Sequence, residues 1–198
     1  MYDSNVTHNL RPVIVGIGGT TKASSSPEKA LRHALAIAET LGAEVETFTG
    51  PDVHLPMYAH DSEERSAGAR KLVASMRRAH GIILSTPCYH GSVSGLLKNA
   101  LDYAEDMAKD EHPYFDGRAV GLIVCGYGWQ STAITLSALR SIVHALRGWP
   151  TPIGVTINSM VKTFDEHGAV VEETAARQIS IMVKQVVDFA RIQGAAGK

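Results

Sequence analysis

Short apolar segments alternate along the chain with longer segments in which apolar residues recur every three or four positions. The short segments predict five strands, at residues 13–15, 43–49, 81–85, 119–125 and 151–157. The second segment is only weakly apolar, which indicates a short and partly exposed strand. The fifth contains Pro152, which cannot donate a hydrogen bond to a neighbouring strand, so it lies at a sheet edge or starts late.

Helical spacing of apolar residues follows each predicted strand. The first helix follows Ser25-Ser26-Pro27-Glu28, where capping hydroxyls, a proline and an acidic residue are typical of a first turn, and it ends at Gly42. The later helices begin near Asp61, at Gly95 and at Thr132, the last of these closed by Gly148, and a final helix spans about 172–192. Strands and helices that alternate in this way predict an α/β fold, with a parallel sheet covered on both faces by helices.

Composition fits one ordinary domain. The chain has 198 residues, of which 44% are hydrophobic and 20% charged, enough to bury a sizeable core. We expect a single domain over residues 12–193, with a flexible N-terminal tail at 1–11 and a C-terminal tail at 194–198.

Charge and residue usage exclude several classes of partner. The net charge of −1 gives no long-range attraction to nucleic acid, and apolar runs such as 119–125 are too short to cross a membrane. The N-terminal residues lack the basic and apolar regions of a secretory signal. Cys88 and Cys125 have no CxxC spacing and the histidines form no HxH or HExxH motif, which argues against disulfides and metal sites. We therefore expect a cytoplasmic protein with a small-molecule partner.

Three loops after predicted strands are candidates for that partner's site. They span residues 18–26, 86–95 and 126–131. In an open parallel sheet, ligands bind outside the carboxyl ends of the strands, where such loops meet.

The first loop has the composition of a phosphate-binding loop. It contains five hydroxyl side chains in seven positions and leads into a helix, whose N-terminal end favours an anion. Capping alone would explain Ser25 or Ser26, but not the whole cluster. The predicted phosphate-binding residues of this loop are Gly18, Thr20, Lys22, Ser24, Ser25 and Ser26.

Other phosphate-binding folds fit the sequence less well. Lys22 follows Thr21 rather than a glycine, so the nucleotide-triphosphate loop is absent, and Thr21 also stands where a dinucleotide fingerprint requires its third glycine. A receiver domain needs acidic residues where the chain has Gly18-Gly19 and Ser85-Thr86. The remaining doubly wound arrangement is the flavodoxin-like order 2-1-3-4-5, which binds a mononucleotide.

The second loop and the helix after it carry the most specific motif, Thr86-Pro87-x-Tyr89-x-Gly91-Ser92-x-x-Gly95-x-Leu97-Lys98-Asn99-Ala100-Leu101-Asp102. This motif resembles the signature of the NADPH-dependent FMN reductase family. The loop at 18–26 resembles the phosphate loop of the same family, and the order of elements agrees over residues 13–192. The resemblance implies a flavodoxin-like fold that binds FMN as cofactor and uses NAD(P)H as co-substrate.

The resemblance also implies which residues surround the flavin. The stretch 24–26 would hold the phosphate, and the isoalloxazine ring would be lined by the backbone of Pro87, Cys88, Tyr89, His90, Gly91 and Ser92, after Thr86. The far side of the ring would be closed by Gly126, Tyr127, Gly128 and Trp129. Gly91 permits a close backbone approach to the ring, and the aromatic side chains could shield it.

Two residues depart from the family pattern. Cys88 stands where glutamate is common, and His90 where asparagine is common. Flavin contacts at these positions run mostly through the backbone, so the departures concern the substrate. The candidates for substrate contact are His90, Cys88, Tyr127 and Trp129. His90 could equally be a solvent-exposed loop residue without a role in binding. Lys98 and Asn99 could equally lie on a solvated helix face. Cys125 is expected to be buried and inert.

The leading functional hypothesis is transfer of a hydride from NAD(P)H to N5 of the flavin, and then of electrons to an acceptor. The acceptor could be a quinone or azo dye, or reduced FMN could leave to supply a monooxygenase. The alternatives are an FMN-dependent dehydrogenase of a small metabolite, a flavodoxin-type electron carrier without catalytic activity, and a flavin-free binding module. We expect a homodimer or homotetramer, with the helices that begin at Gly95 and Thr132 as candidate interfaces.

Overall fold

A twisted parallel sheet forms the centre of the molecule in the computed structural model, which describes residues 11–196. The strands are β1 (Val13–Gly18), β2 (Glu44–Phe48), β3 (Gly81–Tyr89), β4 (Ser92–Val93), β5 (Ala119–Gly126), β6 (Trp149–Pro150) and β7 (Val155–Asn158). The helices are α1 (Ser26–Thr40), α2 (Ala67–Arg78), α3 (Gly95–Asp102), α4 (Trp129–Ala145) and α5 (Glu173–Ala196), with short 3₁₀ helices at Gly50–Val53 and Tyr103–Met107.

The strand order confirms the predicted flavodoxin-like fold. The order is β2-β1-β3-β5-β6, and β7 continues the edge position by pairing with β5 at Ile123–Gly126. All of these pairings are parallel. Counting β6 and β7 together as the fifth strand gives the predicted order 2-1-3-4-5.

The fifth strand differs from its predicted bounds of 151–157. It consists of two short pieces, because β6 pairs with Ala119 and Val120 and pairing resumes only at Val155. Pro152 lies in the gap between them, where the missing N–H of proline costs no ladder hydrogen bond. The strand therefore lies at the sheet edge, one of the two outcomes that Pro152 predicts, and its first piece starts at Trp149, before the predicted bound.

The third strand is longer than predicted. It continues past Ser85 to Tyr89, turns at His90-Gly91 and returns as β4, so part of the predicted loop at 86–95 is a β-hairpin. The φ angles at His90 and Gly91 are 53° and 79°, as a two-residue type I′ turn requires. Pro87 is tolerated inside the strand because β1 pairs with β3 only as far as Ser85, which leaves β3 with one parallel neighbour there.

Three helix boundaries also need correction. α2 begins at Ala67 rather than near Asp61, because the Ser66 side chain caps it by accepting from the N–H of Ala69 at 3.2 Å. α4 begins at Trp129, not Thr132. α5 extends to Ala196, past the predicted domain end at 193, whereas residues 1–10 and 197–198 of the predicted tails lie outside the described part of the chain.

Two apolar layers cover the faces of the sheet. On one side α1 and α5 pack through residues such as Leu31, Leu35 and Met182, and on the other α2, α3 and α4 pack through Leu72, Leu97 and Leu139. Each such buried side chain contributes about 1.5–3 kcal/mol. Within residues 11–196, no helix combines the length and the apolar character needed to cross a bilayer.

Candidate functional site

The three predicted loops lie side by side at the carboxyl edge of the sheet. The N–H of Gly19, in the first loop, donates to the carbonyl of Ser85 at 2.7 Å, just before the second. A Cβ placed on Gly126, at the start of the third loop, would lie 2.8 Å from the Cβ of Cys88 in the second. The fold thus brings the three loops to one edge of the sheet, as the predicted strand order requires.

The first loop ends in an unfilled cap at the N-terminus of α1. Ser25 is the N-cap residue, yet its hydroxyl makes no capping hydrogen bond and is buried without any hydrogen-bond partner. A buried polar atom without a partner costs about 1–3 kcal/mol, so its retention points to a ligand. At a helix N-terminus, the ligand that suits this arrangement is an anion such as a phosphate.

The other predicted phosphate ligands of the first loop differ in their roles. The hydroxyl of Thr20 accepts from the N–H of Lys22 at 3.1 Å and so stabilises the loop itself. Ser24 has a φ of 56° and an exposed side chain, and its N–H donates to the carboxylate of Glu28. Gly18 lies against Thr49, with 3.0 Å between its projected Cβ and the Thr49 methyl. Lys22 is exposed beside the loop.

Glu28, in the first turn of α1, contacts the first loop, although the sequence pattern indicates only a helix start there. Its carboxylate accepts from the N–H of Ser24 at 2.9 Å and from the guanidinium of Arg32 at 2.7 and 2.9 Å. The Glu28 side chain is only 11% exposed. A negative charge of the chain itself therefore occupies the end of the helix that is predicted to bind phosphate. The (i, i+4) spacing of Glu28 and Arg32 was the available signal for this pair.

Thr86 lies beneath the first loop and links the second loop to the start of α3. It is fully buried, and its hydroxyl accepts from the N–H of Ser94 at 3.1 Å. Ser94 in turn caps α3, since its hydroxyl accepts from the N–H of Leu97 at 3.1 Å. Gly19 packs directly against this pair, because a Cβ there would lie 2.6 Å from the Ser94 hydroxyl and 3.0 Å from that of Thr86. The first loop is thus seated on the start of α3.

The hairpin at 86–93 presents two kinds of side chain. Tyr89 and His90 are exposed at its tip, Tyr89 to 56%. Cys88 is tied to α4 instead, because its sulfur accepts from the hydroxyl of Thr135 at 3.0 Å and donates to the carbonyl of Ser131 at 3.4 Å. Of the two departures from the family pattern, only His90 therefore projects freely from the hairpin.

Cys125 is buried on the opposite face of the sheet from Cys88. Burial raises the pKa of the Cys125 thiol far above its ordinary value, so the group stays protonated. Its predicted burial is confirmed.

The third loop is fixed by a residue that the sequence analysis did not identify. The side-chain oxygen of Asn158, at the end of β7, accepts from the N–H of Gly128 at 3.1 Å and from that of Met160 at 3.0 Å. Gly128 has a φ of 98°, a conformation that favours glycine. The flanking aromatic side chains, Tyr127 and Trp129, are 81% and 59% exposed. A polar residue just beyond the predicted end of the fifth strand was the signal that could have revealed Asn158.

A cavity of about 250 Å³ adjoins the third loop and has Trp129 and Asn158 in its wall. Its acidic wall is Glu172, whose carboxylate accepts from the N–H groups of Thr174 and Ala175 at 2.9 and 2.7 Å. These backbone hydrogen bonds lower the pKa of Glu172, which therefore remains ionised. The cavity extends the candidate site towards the start of α5.

A larger cavity of about 620 Å³, beside residues 56–66, contains none of the predicted site residues. Asn99 lies near it and is buried, not on a solvated face: its amide donates to the carbonyl of Pro56 at 2.9 Å and its oxygen accepts from the N–H of Tyr58 at 2.8 Å. Lys98, by contrast, is exposed and paired with Asp102 at 2.5 Å. Among residues 11–196, no three or more His, Cys, Asp or Glu side chains are grouped so as to hold a metal ion.

Comparison with known proteins matches most of the chain to one family. Residues 12–161 match the family described as NADPH-dependent FMN reductase. The FMN-dependent NADPH-azoreductase of Staphylococcus aureus is 33% identical over 129 residues, which cover 64% of this chain and 65% of the azoreductase. The alignment thus spans less than two thirds of that relative's length.

Solved structures share the fold at low sequence identity. The flavoenzyme NAD(P)H:(acceptor) oxidoreductase FerB from Paracoccus denitrificans superimposes with a TM-score of 0.75 at 18% identity, over 92% of this chain and 98% of that one. An NADH:FMN oxidoreductase in its apo form gives a TM-score of 0.67 at 21% identity, over 91% and 89% of the two chains.

Proposed function

Because the chain belongs to the NADPH-dependent FMN reductase family, we propose that it is an FMN-dependent oxidoreductase that takes its electrons from NAD(P)H. The family resemblance predicted from the motif at 86–102 is confirmed by the match over residues 12–161. The observation that carries the proposal is the buried, unpartnered hydroxyl of Ser25 at the N-terminus of α1. A phosphate group there would supply the acceptor atoms that this end of the helix lacks.

The three loops divide the binding of FMN between them. Ser24, Ser25 and Ser26 would hold the phosphate, and the hairpin at 87–92 and the loop at 126–129 would line the ring. When bound, the flavin supplies the hydride-accepting chemistry that no protein side chain offers. The chain's own contribution is position: the Thr86–Ser94 pair seats the first loop, and Asn158 fixes the Gly128 turn.

The electron acceptor is a small planar molecule in this proposal. Tyr89, Tyr127 and Trp129 are exposed along the rim of the site and offer aromatic faces to such a molecule. The Staphylococcus aureus relative is named an azoreductase, which supports azo compounds as one acceptor class, beside quinones and free flavin. His90, at the tip of the hairpin, is the proposed substrate contact that sets this chain apart from the family pattern.

The proposal predicts that the purified protein with FMN is yellow and is bleached by NADPH under anaerobic conditions. Nicotinamide oxidation and flavin reduction should proceed in equal amounts, because both report one hydride transfer. Absorbance at the flavin and nicotinamide bands measures the two together. Bound FMN that neither NADPH nor NADH reduces would contradict the proposed activity, whereas failure to bind FMN at all would contradict the proposed site.

Ser25→Ala is predicted to weaken FMN binding while leaving the apoprotein as stable as the wild type, or more stable. The substitution removes a buried hydroxyl that has no partner without ligand, but removes a phosphate contact when FMN is bound. A charge-assisted hydrogen bond is worth about 1.5–3 kcal/mol, so the dissociation constant of FMN should rise about 10- to 100-fold. Flavin fluorescence quenching gives the constant and thermal melting gives the stability.

Riboflavin and Ser180→Ala are the matched controls for this prediction. Riboflavin has no phosphate, so Ser25→Ala should leave its affinity unchanged. Ser180 is exposed on α5, outside the three loops, and its replacement should change neither ligand's affinity. Equal losses for FMN and riboflavin would show that Ser25 acts on the ring or on the fold rather than on the phosphate.

We also propose that the protein acts as a homo-oligomer in the cytoplasm. Ile134 is 52% exposed on α4, and the outer face of this helix also carries Ala133 and Ser137, small residues suited to close packing. The α3 helix offers less apolar surface to a second subunit, because Leu97, Ala100 and Leu101 are buried within the first.

The proposed cytoplasmic location is supported by the two thiols, which are free and lie on opposite faces of the sheet, as suits a reducing compartment. Supply of reduced FMN to a monooxygenase remains part of the proposal.

A further inference from the structure

A carboxylate of the chain itself lies against the phosphate loop. Glu28 lies in the first turn of α1, three residues after the N-cap Ser25, and one of its oxygens accepts from the N–H of Ser24 at 2.9 Å. Its other oxygen faces Arg32 at 2.7 and 2.9 Å, and Arg32 reaches on to the hydroxyl of Thr49 at 3.3 Å. A loop N–H and a guanidinium, both of which could bind a phosphate, are therefore already engaged.

We propose that Glu28 weakens the hold of the loop on the FMN phosphate, so that FMN exchanges with free flavin instead of staying permanently bound. The inference rests on the proposed function and adds to it a residue of this chain that sets the affinity for FMN. Its basis is charge: a phosphate held by the Ser25 hydroxyl and the first N–H groups of α1 lies close to the Glu28 carboxylate, and like charges at that range repel.

The cations around Glu28 are more exposed than its carboxylate. Arg32 is the only ion-pair partner that Glu28 has within residues 11–196, and its side chain is 60% exposed, so solvent screens its charge. Glu28 itself is only 11% exposed and is screened much less. Lys22 is exposed. Lys29 is half-buried and lines one pocket with Ser24, Glu28 and Arg32, and its ammonium lies 5.8 Å from the ring centre of Phe164. The buried charge next to the cap is therefore the negative one.

Proline at the second helical position strengthens the effect. Pro27 has no N–H, so one of the donors that a helix N-terminus usually offers to an anion is missing. With the N–H of Ser24 taken by Glu28, the loop has two fewer backbone donors than its length suggests. The remaining grip comes from the Ser24–Ser26 hydroxyls and the other N–H groups, which favours a phosphate that binds and leaves.

The test compares Glu28→Gln with Glu39→Gln, a charge-matched control at the exposed, opposite end of α1. Glutamine keeps one oxygen that can accept from Ser24, but its NH2 group replaces the oxygen that accepts from Arg32, so the charge and the ion pair are removed together. FMN should bind Glu28→Gln at least about tenfold more tightly and dissociate correspondingly more slowly, whereas riboflavin should change by less than about twofold. Fluorescence quenching and stopped-flow release measure both ligands on each protein, and Glu39→Gln should behave like the wild type.

Arg32→Gln provides a second variant with the opposite expected sign. It leaves the Glu28 carboxylate without its partner, so FMN should bind more weakly than to the wild type, again with little effect on riboflavin. Unchanged or weaker FMN binding by folded Glu28→Gln would overturn the inference, as would tighter binding by Arg32→Gln. A wild-type protein that binds FMN no better than riboflavin would instead overturn the proposed phosphate loop itself.

Discussion

Gly19→Ala is expected to destabilise the protein by about 1–3 kcal/mol and to abolish measurable FMN binding. The added methyl would lie 2.6 Å from the Ser94 hydroxyl, 3.0 Å from the Thr86 hydroxyl and 3.1 Å from the Cβ of Leu97. None of these atoms can easily withdraw, because Thr86 and Ser94 are buried and joined to each other through the Ser94 N–H. The first loop must therefore lift away from the start of α3, and the cap at Ser25 moves with it.

The control for Gly19→Ala is Gly95→Ala, at the first position of α3. A Cβ there meets nothing within 4 Å, and alanine is a better helix former than glycine. We expect this variant to be as stable as the wild type or slightly more stable, with unchanged FMN affinity. Chemical denaturation and flavin titration on both variants measure the contrast. Equal stability and equal FMN affinity of the two variants would show that the loop is not seated on the Thr86–Ser94 pair.

Asn158→Leu is expected to lower kcat/KM with NADPH about 10- to 100-fold and to destabilise the protein by about 1–3 kcal/mol. Leucine has nearly the shape of asparagine but no oxygen to accept from the N–H groups of Gly128 and Met160. The Gly128 turn would then lose the contact that sets its position relative to β7. Tyr127 and Trp129 flank that turn, so the rim of the site would move with it.

Asn158→Asp separates this positioning role from a loss of packing. The aspartate retains a side-chain oxygen in the same place and should keep most of the activity. Steady-state kinetics and rapid flavin reduction by NADPH, together with melting temperatures, distinguish the outcomes. If Asn158→Leu is as active as Asn158→Asp, or if both lose activity equally, the hydrogen bonds from Asn158 do not position the loop.

The regular elements of the fold could be predicted because each carries its own local pattern. The apolar segments at 13–15 and 119–125 and the helical spacing after Ser25 depend on neighbours a few positions away. The errors occur where a distant neighbour decides the structure. Pro87 indicates the end of a strand, and β3 continues through it only because the pairing with β1 ends at Ser85. The start of α2 depends on the cap by Ser66, whereas the sequence predicted a start near Asp61.

In the candidate site, too, some features could be predicted from the sequence and others could not. Its place at the carboxyl edge follows from strand order alone, and so do the three loops that form it. The tasks of single residues do not follow, because they depend on partners far along the chain: Cys88 on Thr135, Gly128 on Asn158, and Gly19 on Ser94. Glu28 is the exception, since its partners Ser24 and Arg32 lie within four positions. Its effect on the loop nevertheless becomes visible only beside the unpartnered Ser25 hydroxyl.

The tight turn at His90-Gly91 has a consequence for evolution of the site. Tyr89 and Ser92 are paired across it, so the tip has no spare residues, and inserting one would shift the register of β4 and turn its side chains to the opposite face. Changes of acceptor must therefore arise by replacing side chains on a rim of constant length. The difference at His90 fits this route, and we expect related chains to vary in residue type at the tip while keeping its length.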